Sequence, residues 1–104
     1  MTSKRWIKQI TKRVASRVKP KKIILFGSHA WGRPKKYSDI DLLVIMDKPS
    51  GKTKRYEMID KAIGEHIMPL DILVRNSREI DDRLAIGDSF MCDIMNKGRV
   101  LYES

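Results

Sequence analysis

No apolar run in this 104-residue chain approaches the ~20 residues needed to cross a bilayer. The basic N-terminus carries no apolar signal core. A lone cysteine, Cys92, leaves no internal disulfide, and this sparing use of thiols predicts a cytoplasmic protein in which Cys92 is a small buried hydrophobe. Two histidines and one cysteine, nowhere clustered, exclude a zinc site of the usual spacing. Internal repeats and low-complexity tails are likewise missing. The chain has room for one domain with a modest core.

Negative charge is also scarce. Thirteen acidic residues face 22 Lys and Arg, a formal net charge of +9 and a pI near 9.9. A basic surface gains affinity for nucleic acid by releasing counterions. Much of the charge, however, falls on the outer face of the predicted first helix, where a run of charge is ordinarily solvated. A rim around a triphosphate, or an acidic protein partner, explains it better than nucleic acid as the principal partner.

Against this background the few acidic residues stand out by position. The run Ile23-Ile24-Leu25-Phe26 ends in Gly27-Ser28, and after ten intervening residues Asp39-Ile40-Asp41 opens a second apolar run through Ile45. Strand side chains alternate faces, so Asp39 and Asp41 share a side at roughly 7 Å spacing along the backbone. Two carboxylates so close repel unless a cation lies between them. Hard oxygen ligands suit Mg²⁺, which is held by one or two carboxylates together with substrate phosphates. Gly27 permits a sharp turn and close approach of backbone to a ligand. A short helix starting at Ser28 would add free N–H groups and a hydroxyl for an anion. The pattern reads as a metal and nucleoside triphosphate site.

These residues resemble the nucleotidyltransferase superfamily typified by DNA polymerase beta, and in particular its minimal stand-alone members. That family's pattern is Gly-Ser, ten residues, then Asp-x-Asp, with a third acidic residue on a later strand; Gly27, Ser28, Asp39 and Asp41 match it, and Asp71 within Pro69-Leu70-Asp71-Ile72-Leu73-Val74 is the candidate third. The resemblance implies an α/β fold, a small mixed sheet flanked by helices. It implies two Mg²⁺ ions and ATP as nucleotide substrate. Asp39, Asp41 and Asp71 would be metal ligands and catalytic residues, and Gly27 and Ser28 would position the phosphates. Stand-alone members usually pair with a small helical HEPN-type protein, often a toxin RNase, and some transfer AMP to a tyrosine of that partner. An antitoxin is therefore expected. Two alternatives remain: a non-catalytic nucleotide-binding antitoxin acting by direct contact, and a subunit modifying a small molecule or an RNA end.

Periodicity predicts the remaining elements. Trp6, Ile7, Ile10, Val14 and Val18 mark an amphipathic helix over 3–18, closed before Pro20. A strand follows over 22–26, then a short helical piece to Trp31 and a loop over 33–38. The second strand, 39–46, turns Ile40, Leu42 and Val44 to one face and Asp41, Leu43 and Ile45 to the other. A helix over 52–65 presents Tyr56, Ile59, Ala62 and Ile63 inward, with Met58 also expected in the core and Lys52, Lys54, Arg55 and Lys61 left to solvent or phosphate. The third strand covers 70–75. Its Asp71 needs a reason among apolar neighbours, and either an exposed place on an edge strand or a metal supplies one. Asn76 and Glu79 form a capping-box pattern. Asp88 caps a last helix with Phe90, Met91, Ile94 and Met95 inward, before an edge strand over 99–102. Trp31 is assigned to core packing in preference to a ligand, and His29 and His66 are given no essential chemistry. Helices are expected on one face of the sheet and the metal cleft on the other.

Overall fold

Alternation and periodicity translate into nine elements in the computed structural model, which describes residues 3–32, 39–66 and 68–104. They are α1 (Ser3–Val18), β1 (Lys22–Phe26), α2 (Ser28–Trp31), β2 (Ile40–Ile45), α3 (Lys52–Ile63), β3 (Leu70–Arg75), α4 (Ser77–Ala85), α5 (Ser89–Lys97) and β4 (Arg99–Glu103). The expected loop over 33–38 lies outside the described residues.

The sheet runs β3-β2-β1-β4. β1 pairs antiparallel with β2 and β4, whereas β2 and β3 are parallel, so the sheet is mixed as expected. A parallel pair needs a crossover, and α3 provides it. The apolar runs of β1 and β2 are continuous because both strands are central and covered on both sides. On one face Ile23, Leu25, Ile40, Leu42 and Val44 meet Trp6, Ile10 and Val14 of α1 and Ile59, Ala62 and Ile63 of α3. On the other, Ile24, Phe26, Leu43 and Ile45 meet Ile80 of α4 and Met91 and Ile94 of α5. Helices thus cover part of both faces, a correction to the expectation that one face holds the cleft alone. The second face could not be left bare, since four large apolar side chains on it would otherwise meet water.

Several local expectations hold in detail. Asn76 Oδ1 accepts from the Glu79 amide at 2.7 Å and Glu79 Oε1 accepts from the Asn76 amide at 2.9 Å, closing the capping box of α4. Asp88 Oδ1 accepts from the Met91 amide at 3.0 Å and caps α5. The open edge of β3 is partly closed, because the Val74 amide donates to the Tyr56 hydroxyl at 3.2 Å.

Others do not. Arg55, expected at solvent or phosphate, is only 2% exposed. Its terminal nitrogens donate to the carbonyls of Pro49 and Ser50 at 3.2 and 2.7 Å and to Glu79 Oε1 at 3.3 Å, which offsets part of its desolvation, while the buried Nε has no partner among the described residues. Met58 and Phe90, expected inward, are 37% and 52% exposed, and Cys92 is half-buried. Helix α3 ends at Ile63, two residues short of the expected Glu65, where Gly64 takes the C-cap. Among the described residues no helix is long and apolar enough to cross a membrane.

Candidate active site

Two carboxylates, with a third acting on one of them, lie at the end of the sheet where β1 finishes and β2 and β3 begin. Asp41 and Asp71 are register partners on the parallel strands, one directly beside the other. Neighbouring strands lie about 4.8 Å apart and partners project to the same face, so the two side chains point into the same space. Asp39 precedes β2 and is exposed, as is Asp71 on the edge strand β3, while Asp41 is half-buried. Burial, then the negative charges of Asp71 and Asp39, push the Asp41 carboxyl above its ordinary range; His29 acts in the opposite sense. Loss of hydration is thus the main cause, and repulsion from the other two carboxylates adds to it.

The turn after β1 completes the arrangement. Gly27 has φ +76°, and a Cβ built on it would collide with Oδ2 of Asp41 and lie 3.1 Å from its Cγ. The carboxylate of Asp41 therefore rests directly against the Gly27 backbone. Ser28 begins α2, and the amides of Ala30 and Trp31 both return to the Gly27 carbonyl at 3.0 Å. Gly27, Ser28 and Asp41 are in this way brought together, as Asp41 and Asp71 are by the parallel register.

The donor set is all carboxylate oxygen. Among the described residues no group of three or more His, Cys, Asp and Glu side chains is gathered into a ready-made metal cage. A cation that retains waters and takes phosphate oxygens as ligands does not need one, and repelling carboxylates held on neighbouring strands against a glycine turn fit such a cation. Asp41 and Asp71, set side by side by the parallel register, are the carboxylates the structure offers to such a cation, with Asp39 on the same strand side as Asp41.

Three aromatic side chains cluster, Phe26 with Trp31 and Phe90, of which the sequence places Trp31 in the core in preference to a ligand and Phe90 inward. Phe26 is the register partner of Asp41 and shares its face. Trp31, expected in the core, is 43% exposed, its ring centroid 6.4 Å from that of Phe26. Phe90 meets Phe26 edge-on at 5.8 Å. Pairing register was the missing signal, since it alone sets Phe26 opposite Asp41. His29 is half-buried and close enough to Asp41 to influence its ionisation, whereas exposed His66 engages the Met68 carbonyl at 2.8 Å through Nδ1.

Comparison with known proteins addresses the family and the fold. Residues 7–97 match the nucleotidyltransferase domain family. Among solved structures, a candidate nucleotidyltransferase from Sulfolobus solfataricus is similar over 95% of this chain and 78% of its own, with 22% identity and a TM-score of 0.66. A mutant of the toxin-antitoxin MntA-HpeT is similar over 92% of this chain and 72% of its own, with 20% identity and a TM-score of 0.57. At such identities the likeness concerns the fold. No curated protein matches the sequence. The family match, however, runs from within α1 to the last residue of α5, and the chain belongs to the nucleotidyltransferase domain family.

Proposed function

We propose that this chain transfers a nucleotidyl group, AMP from ATP, to an acceptor hydroxyl on a protein partner, and that it serves as the antitoxin of a toxin-antitoxin pair. The observation that carries the catalytic part is the juxtaposition of Asp41 with Asp71 in parallel register beneath the Gly27 turn. Nucleotidyltransferase domains generally use an NTP and a divalent metal. Asp39 and Asp41 are assigned to hold a metal with the nucleotide, and Asp71 to complete a second site with them. Magnesium bound there would neutralise charge on the entering and leaving oxygens of a phosphoryl displacement.

The remaining roles belong to the chain itself. Gly27 lets the backbone come close to the phosphates, and Ser28 offers them a donor. Asp71, exposed on its edge strand, can take the proton of the attacking hydroxyl. The new bond joins the acceptor oxygen to the α-phosphorus, the bond from that phosphorus to the bridging oxygen breaks, and pyrophosphate departs.

The likeness to the toxin-antitoxin MntA-HpeT favours an antitoxin role; the acceptor we assign, from the resemblance to stand-alone members of the family, is a tyrosine of a HEPN-type partner. Three carboxylates kept together despite their repulsion favour turnover over simple contact, because a binding module gains nothing from them. The test incubates the chain with α-labelled ATP, Mg²⁺ and the product of the neighbouring gene, and looks for label and an AMP mass increase on that product. Asp71→Asn should abolish transfer more than nucleotide binding. Absence of label, with the partner still neutralised by Asp39→Asn, would establish a non-catalytic antitoxin instead.

A further inference from the structure

We infer that Trp31 and Phe90 form an aromatic platform that stacks on the nucleobase and sets the nucleotide's orientation; the inference rests on the nucleotide-site reading above. Trp31 is 43% exposed and Phe90 52%, although both carry large apolar rings. An exposed aromatic standing alone would need no explanation. Here the two are anchored on one buried ring, since Phe26 meets Trp31 at 6.4 Å and Phe90 at 5.8 Å. Phe26 in turn is the strand partner of Asp41. The exposed rings come from different elements, α2 and α5, and both meet the ring whose strand partner is the carboxylate resting on the Gly27 turn.

Location identifies the occupant. Trp31 ends the same short helix that Ser28 begins, so a ligand whose phosphates rest at Gly27-Ser28 has its next reach along α2 toward Trp31. The charged groups lie on the β2 and β3 side, at Asp41 and Asp71, and the aromatic surface on the β1 side. A nucleoside triphosphate has that same division, a charged chain at one end and a flat π-face at the other. Base-to-aromatic stacking tolerates any base and grows with ring area, so the platform favours purines. Fixing the base would hold the α-phosphorus in one attitude toward Asp71, and this gives the platform a positioning role.

The experiment compares Mg-ATP with Mg-tripolyphosphate, which has the charge and no base, by calorimetry on the full chain. Trp31→Ala should weaken ATP about 5- to 150-fold, the range that loss of one stacked base implies, and leave tripolyphosphate unchanged. Phe90→Ala should act in the same direction, and Trp31→Phe should restore much of the loss. In a Trp6→Phe background, Trp31 emission should respond to ATP and stay constant with tripolyphosphate. The paired variant Asp39→Asn with Asp41→Asn should lose both ligands. If Trp31→Ala and Phe90→Ala bound ATP like the parent, the platform would be overturned while the phosphate site stood. If the parent chain bound neither ligand, both readings would fall.

Discussion

The carboxylate of Asp41 occupies the space that a Cβ on Gly27 would need. An alanine there must displace the side chain assigned to hold the metal, and must also adopt φ +76° with ψ −159°, a region open essentially to glycine alone, at about 1–3 kcal/mol. Gly27→Ala should therefore lower both stability and nucleotide affinity. Ser28→Ala, which removes one donor to a charged group, should weaken ATP by roughly 1.5–3 kcal/mol and leave the fold intact. Denaturation and calorimetry on the two variants separate these effects.

Asp41 sets a pH dependence of definite sign. Its carboxyl is raised by burial first and by Asp71 and Asp39 second. Cation binding needs the carboxylate, so Mg-ATP affinity should fall as pH drops through this raised value, earlier than an ordinary aspartate near ~3.9 would dictate. Above it, the charged group opposes folding, and that opposition is relieved on acidification. Asp41→Asn should accordingly raise Tm while eliminating metal binding. Asp71→Asn should bring the Asp41 pKa down toward its normal range, which carboxyl NMR titration reads directly.

Asp47 behaves in the opposite way. The Ser77 amide donates to its Oδ1 at 2.8 Å and the Ser77 hydroxyl to its Oδ2 at 3.0 Å, and the first of these is the main cause holding its carboxyl below the ordinary range. The stabilisation is present above the unfolded-state pKa and is lost as pH falls through the lower folded value. Because the pair is exposed, Asp47→Ala should cost only about 1 kcal/mol in denaturant titrations at neutral pH and nothing at strongly acidic pH.

Arg55→Ala removes the donor from the Pro49 and Ser50 carbonyls and the partner of Glu79. A loss of at least about 2 kcal/mol is expected, below the full cost of a broken buried pair because Glu79 is 37% exposed. Arg55→Lys should recover only part of it, since a single ammonium cannot span three acceptors.

Gly98 stands where α5 hands over to β4 against β1. A Cβ there would lie 2.6 Å from Ile24 Cγ2 and 3.1 Å from the Leu25 carbonyl. Gly98→Ala should destabilise by about 1–3 kcal/mol through overpacking, measurable as a lower urea midpoint with an unchanged slope.

Elements and faces were readable because periodicity carries them. The intervals of Trp6, Ile10 and Val14, and the alternation from Ile40 to Ile45, need no tertiary knowledge. The Gly27-Ser28 turn and the three aspartates were legible for a different reason, namely that charge and glycine at those places have no packing explanation. Arg55 was misread because a long cation on a helix looks solvated until the loop that caps it is known. The sequence places Trp31 in the core in preference to a ligand and Phe90 inward by its helical spacing, and only tertiary packing shows both rings exposed against Phe26, the strand partner of Asp41. An edge strand is one of two accounts the sequence offers for Asp71, and the strand order that follows from the crossover does put β3 at the edge.

The parallel pairing of β2 with β3 means that Asp41 and Asp71 become neighbours only when the crossover that contains α3 has returned the chain across the sheet. Contacts of this separation form late and open readily, because closing the intervening loop must precede any gain from it. Amide exchange in β3 should then be faster than in the twice-paired β1, and its opening would part the two carboxylates without unfolding the remainder. Substitutions in the core of α3, such as Ile59→Ala, would impair the site from a distance, and excess Mg-ATP would protect those same amides by closing the sheet over it.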